Sequence, residues 1–145
     1  MSNRLKIAAA FLIVLVVGAG LAAYHMFGPP PSGLDLSRTR VTEKGLYSVS
    51  IAPEVEPFRR EVLHSWIVTV LNKDQSPVEG ATITVDGGMP RHGHGLPTSP
   101  QVTANLGGGR YRVEGVKFHM FGWWEFKFSI TAAAGQDSVT FNLDL

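Results

Sequence analysis

Hydrophobic and polar positions follow two different patterns along this chain. Ile7 to Ala23 (IAAAFLIVLVVGAGLAA) is uncharged throughout, and the next Asp, Glu, Lys or Arg is Asp35. At about 1.5 Å per residue this run predicts a helix of about 25 Å, near the short limit for a bilayer span. Tyr24, Met26 and Phe27 extend it into the interfacial region that aromatic side chains favour. Arg4 and Lys6 precede the run, which predicts an N-terminus in the cytoplasm and the remainder outside. A cleaved signal peptide has the same layout. The run exceeds a signal core of 7–15 residues, and neither Gly20-Leu21-Ala22 nor Leu21-Ala22-Ala23 is a clean Ala-x-Ala site, so a retained anchor is favoured.

Beyond the run the pattern changes. Gly28-Pro29-Pro30-Pro31-Ser32-Gly33 reads as a semi-rigid spacer. Short β-rich segments then alternate with turn signals: Leu46 to Ile51, Val62 to Leu71, Ala81 to Val85, Gln101 to Ala104, Arg110 to Val116, Trp123 to Thr131 and Ser138 to Leu145. Within Trp123 to Thr131, strict alternation puts Trp124, Phe126, Phe128 and Ile130 on one face. Val139, Phe141, Leu143 and Leu145 do the same in the last segment. Period 2 with one apolar and one polar face predicts antiparallel sheets packed face to face, an all-β immunoglobulin-like antiparallel β-sandwich behind a single N-terminal transmembrane helix. The expected divisions are a cytoplasmic N-terminus (1–6), an anchor (7–27), a Pro/Gly linker (28–36) and the β-domain (37–145).

Composition narrows the chemistry. The chain has no cysteine, so an exported domain must rely on its core, with Trp66, Trp124 and the phenylalanines as filling. It has no thiolate nucleophile or thiolate metal site. Net charge is +1 and no block of like charge stands out, so no nucleic-acid footprint is expected. No nucleophile elbow, phosphate loop or zinc pattern is present, and a non-enzyme is expected. Glu54 and Glu56, between Pro53 and Pro57, read as a solvated loop.

The segment Gly87-Gly88-Met89-Pro90-Arg91-His92-Gly93-His94-Gly95-Leu96-Pro97-Thr98 concentrates the candidate chemistry. Glycine frees the backbone and proline fixes it, which predicts a shaped loop that is neither helix nor strand. In an extended backbone His92 and His94, two apart, project to one side and can reach one metal. His119 and Met120 precede the Trp123 segment, and loops distant in sequence cluster at one end of a sandwich. Met89, His92, His94, His119 and Met120 are therefore the candidate metal ligands. Thioether sulfur with imidazole nitrogen suits copper, Cu(I) above all. Each has a plainer reading. His92 and His94 can bond backbone carbonyls, His119 can be an ordinary surface histidine, and Met120, between Phe118 and Phe121, can be core. His64 shares a face with Val62 and Trp66 and reads as a partly buried, hydrogen-bonded histidine. His25 lies at the membrane interface.

Several segments in order resemble the YtkA-like or FixH-like family of exported domains: Pro77-Val78-Glu79-Gly80-Ala81, Met89 to Gly95, Gly109 to Phe118, Met120 to Phe126 and Val139 to Leu145. The resemblance covers roughly Glu61 to Leu145 and is closer to the generic YtkA-like pattern than to FixH. Some relatives carry a further methionine between the first Met and the His, where this chain has Arg91 and Gly93 in the neighbouring places. The resemblance implies a small β-sandwich outside the cytoplasmic membrane, linked to copper handling and to assembly of haem–copper respiratory oxidases. The expectation is a membrane-anchored copper-binding or copper-delivery accessory protein, with membrane lipid around residues 7–27 and a membrane metalloenzyme or respiratory complex as partner. The alternative is a non-metal-binding accessory subunit of a membrane complex. In that case one of Trp123 and Trp124 faces outward as an interface anchor.

Overall fold

A computed structural model describes residues 3–145, apart from the side chains of Leu5, Met26 and Phe27. The interfacial placement expected of Met26 and Phe27 thus lies outside the described residues, as do Met1 and Ser2. Helix α1 (Asn3–Phe27) contains the apolar run. Its segment Lys6–His25 has a mean hydropathy of 2.5 and none of it is buried. It is long and apolar enough to cross a membrane, a criterion that a signal sequence also meets.

Nine strands follow: β1 (Thr39–Val41), β2 (Tyr47–Pro53), β3 (Leu63–Asn72), β4 (Thr82–Met89), β5 (His94–Gly95), β6 (Gln101–Gly107), β7 (Arg110–Lys117), β8 (Trp123–Ala132) and β9 (Gly135–Asp144). They form two antiparallel sheets, one in the order β1-β2-β3-β7-β6 and the other β5-β4-β8-β9. The fold is the expected immunoglobulin-like sandwich. All seven segments read from the sequence are strands. The two that were not, β1 and β5, are too short to show a period.

The inner faces carry the residues that alternation assigns to them. Trp124, Phe126, Phe128 and Ile130 of β8 are buried, as are Val139, Phe141 and Leu143 of β9, with Leu145 half-buried. Against them pack Val49, Trp66, Val68, Val70, Tyr111 and Val113 of the other sheet. Trp66 meets Phe126 with ring centroids 5.5 Å apart, edge to face. Each fully buried side chain of this size contributes roughly 1.5–3 kcal/mol, and this core takes the place of the absent disulfide.

One local expectation is corrected. The glycine-rich segment is partly strand: Gly87 to Met89 complete β4, and His94–Gly95 return as β5, with Met89 paired to His94. Gly87 and Gly88 permit this because both are crowded. A Cβ on Gly87 would stand 2.6 Å from the Glu125 carbonyl oxygen, and one on Gly88 2.5 Å from that of His94. The β3–β7 register shifts opposite His64 and Trp66, but the extra residue is in β7, between buried Val113 and Val116, and β3 keeps its alternation: His64 and Trp66 both meet Phe58, as expected. His64 is half-buried against Phe58 and bonds the Arg59 carbonyl through Nε2 at 2.6 Å, as a hydrogen-bonded structural histidine does.

Candidate metal centre

One end of the sandwich gathers the β4–β5 hairpin, the loop between β7 and β8, and the loop between β2 and β3. The hairpin is tight. The Met89 carbonyl accepts hydrogen bonds from His92 N at 3.1 Å and Gly93 N at 3.0 Å, and Gly93 takes φ +66°. His92 and His94 therefore do not lie on one extended strand, as the sequence reading supposed. The turn still brings them together, and their rings stack with centroids 5.7 Å apart.

His94 also meets a residue far along the chain. Its ring centroid lies 4.9 Å from that of His119. Trp124 forms the floor beneath both, at 5.9 Å from His94 and 5.4 Å from His119. The indole is fixed in place: Trp124 Nε1 donates to the Met120 carbonyl at 3.0 Å. The same bond pins the loop that carries His119.

The imidazole nitrogens are unevenly satisfied. His94 Nδ1 lies 3.1 Å from the Gly95 carbonyl. With Nδ1–H donating there, Nε2 presents a lone pair. His94 Nε2 is buried and has no partner, and neither does buried His119 Nδ1. Buried polar atoms are nearly always paired, and leaving one unpaired costs about 1–3 kcal/mol. Arg60 Nε, Trp66 Nε1 and Thr98 Oγ1 are also buried without partners, but only the two histidine nitrogens lie on adjoining rings and can offer imidazole lone pairs to a metal. An imidazole whose other nitrogen is held by a backbone carbonyl is also oriented as a metal ligand is.

The sulfur residues flank this pair. Met89 is 3% exposed and lies opposite His94 in the β4–β5 register. Cross-strand partners share a face, so its thioether points to the side His94 occupies. Met120 is half-buried against the core. Met89, His92 and Met120 line one cleft of about 410 Å³ with Arg60, Arg91 and Trp123. Among the described residues no group of three or more His, Cys, Asp or Glu side chains is placed to hold a metal ion. The three imidazoles thus do not converge on one point, and the remaining candidate ligands on this chain are the thioethers of Met89 and Met120.

Sequence reasoning overlooked two contributors. Arg91 Nη1 donates to the Gly28 carbonyl at 2.6 Å, clasping the end of α1 to the hairpin. Phe121 is the exposed aromatic at this end, 67% accessible, whereas Trp123 is half-buried and donates through Nε1 to Asn142 at 2.9 Å. Trp124 faces the core, as alternation required. Position within a loop gave no means of telling Phe121 from its buried neighbour Phe118.

Comparisons with known proteins agree with this architecture. No curated protein sequence matches the chain. Among solved structures, a DUF4426 family protein from Pseudomonas aeruginosa PAO1 is similar, with a TM-score of 0.54 and 17% identity over 75% of this chain and 96% of that one. At that identity the likeness speaks for the fold alone. The model of the family described as YtkA-like matches residues 46–129, from the residue before β2 to the seventh residue of β8, and includes every candidate ligand. The chain belongs to the YtkA-like family.

Proposed function

We propose that this protein is a single-pass accessory protein of the cytoplasmic membrane, with its β-domain on the outer side, that binds Cu(I) and passes it to a membrane metalloenzyme or respiratory complex. The observation that carries the reading is the pair of buried, unpartnered nitrogens, His94 Nε2 and His119 Nδ1, on rings 4.9 Å apart. With a thioether from Met89 or Met120 the set is soft and of low coordination, which suits Cu(I). Such a site needs no acid–base machinery to take up and release its ion. Apolar walls of Trp124 and the methionines exclude water and disfavour harder, more strongly hydrated cations.

Titration of the full-length chain in detergent with Cu(I), against a competing chelator, tests this. The expected result is one-to-one binding that His94→Ala/His119→Ala abolishes, while circular dichroism shows the β-fold retained. Equal copper retention by the wild type and the double variant would sink the copper reading. The second reading, an accessory subunit without metal, is favoured by exposed Phe121, and it predicts no copper binding in either protein.

A further inference from the structure

The end of the sandwich that holds the candidate metal site also carries most of the exposed apolar side chains of the β-domain. Val55 is 71% exposed, Val62 50%, Leu63 64% and Phe121 67%. They belong to the β2–β3 loop, the start of β3 and the β7–β8 loop. These segments adjoin: Glu61 N donates to the Phe118 carbonyl at 2.8 Å, and the Arg60 guanidinium lies 3.7 Å from the centre of the Phe121 ring.

The charges of this end are sorted. Glu54 pairs with Arg112 at 2.7 Å, Glu61 with Lys117 at 2.9 Å, and Glu56 with Arg38. Arg59, Arg60 and Arg91 enter no ion pair among the described residues. Asp144 is the acidic group left near them, beside Arg60 and Phe121. Apolar tips interspersed with unpaired arginines suit an interface in which apolar groups enter the acyl boundary and guanidinium groups meet phosphate.

Chain continuity says which interface this is. Helix α1 ends at Phe27, and the next residue, Gly28, is held by Arg91. Gly28 and Pro30 line the same cleft as Arg60 and Phe121. A helix that crosses a bilayer emerges at headgroup depth, so the surface that clasps its first external residue lies at that depth too.

We propose that this end of the β-domain docks on the outer bilayer surface, with Val55, Leu63 and Phe121 inserted and Arg59, Arg60 and Arg91 at the phosphates. The proposal rests on α1 being a retained anchor and does not depend on copper. The docked face contains the mouth of the cleft between Met89, His92 and Met120.

The chain has no native cysteine, so single labels can be placed cleanly. Val16→Cys, Leu63→Cys, Phe121→Cys and Lys73→Cys in the full-length chain, each carrying a nitroxide, are read in nanodiscs of mixed zwitterionic and anionic phospholipid. Spin-label relaxation by oxygen, which partitions into lipid, is compared with relaxation by a water-soluble nickel chelate. The expected result is a high oxygen-to-nickel ratio at 63 and 121, approaching that at 16, and a low ratio at 73. Aqueous readings at 63 and 121 with a lipid reading at 16 would overturn the docking while leaving the anchor intact. An aqueous reading at 16 would remove the anchor and the docking with it. Shielding of 63 and 121 from both reagents would mean that protein covers the patch, and would overturn the lipid assignment. A last variant, Phe121→Asp with the label at 63, is expected to lower the ratio there, and an unchanged ratio would remove Phe121 from the docked surface.

Discussion

The two ends of this sandwich are finished differently. At the end away from α1, the polar groups that enter the core are satisfied. Asp137 is 2% exposed, and its carboxylate accepts from Lys44 N at 3.0 Å, Leu46 N at 3.1 Å and Ser138 N at 2.8 Å. Tyr111 donates to the Val78 carbonyl at 2.6 Å and accepts from Ala81 N at 2.9 Å, and Tyr47 donates to the Gly135 carbonyl at 2.6 Å. At the end beside α1, two imidazole nitrogens are buried without partners. The core between them is continuous, so the contrast is local. One end spends its hydrogen bonds on holding the loops, and the other leaves buried imidazole nitrogens without a partner from the chain.

The largest effects are expected at the satisfied end. Replacing Asp137 with Ala orphans several buried amides and should destabilise the fold by about 2–4 kcal/mol, measured by chemical denaturation, with copper retention in the surviving folded fraction unchanged. The same residue sets an acid limit. Burial pushes its carboxyl up, but hydrogen bonds from the Thr42 hydroxyl and the amides of Lys44, Leu46 and Ser138 outweigh this and bring its pKa down from 3.8 to about 2. A depressed carboxyl stabilises the fold above its unfolded value, so this contribution is complete above about pH 4 and is lost as pH falls towards 2. Denaturation midpoints across that window should drop in the wild type and drop less in Asp137→Ala.

Tyr111→Phe removes two hydrogen bonds without opening a cavity, and should cost about 1–2 kcal/mol in thermal or chemical unfolding. At the other end the sign should reverse. His119→Phe removes a buried unpartnered nitrogen from an aromatic niche, so in copper-free buffer it should leave the melting temperature unchanged or raise it, while copper retention is lost. A fall in stability equal to that of Tyr111→Phe would mean that His119 is a structural residue, and the contrast between the ends would collapse. The smallest effects are expected of Met89→Leu and Met120→Leu. These conserve volume and should each cost less than about 1.5 kcal/mol. A tenfold or greater weakening of Cu(I) binding in one of them alone identifies the thioether ligand.

The sheets were legible in the sequence because period 2 records which side of a strand meets the core. Trp123 to Thr131 shows this best, since four large apolar residues alternate with polar ones and the structure buries all four. The candidate site was legible only as a composition. Met89, His92, His94, His119 and Met120 could be named, but that His94 meets His119 while His92 stacks on His94 depends on a hairpin turn and a Trp124 anchor that no local pattern encodes. Asp137 gave no signal, because an aspartate beside a turn ordinarily faces water. The bulge in β7 between Val113 and Val116 was invisible for a related reason: an extra residue shifts the register without altering the composition of the strand.

The clasp between Arg91 and Gly28 has a kinetic consequence. A carrier free in solution meets its acceptor by searching a volume, at a rate set by bulk concentration. On the proposed reading, with α1 retained as a membrane anchor and the hairpin held at its foot, the search would be confined to a plane, and the relevant quantity would become the number of acceptors per unit of membrane area. A copper carrier so placed, as proposed, would hand over its ion promptly through a weak encounter, with no need for a strong and slowly released complex.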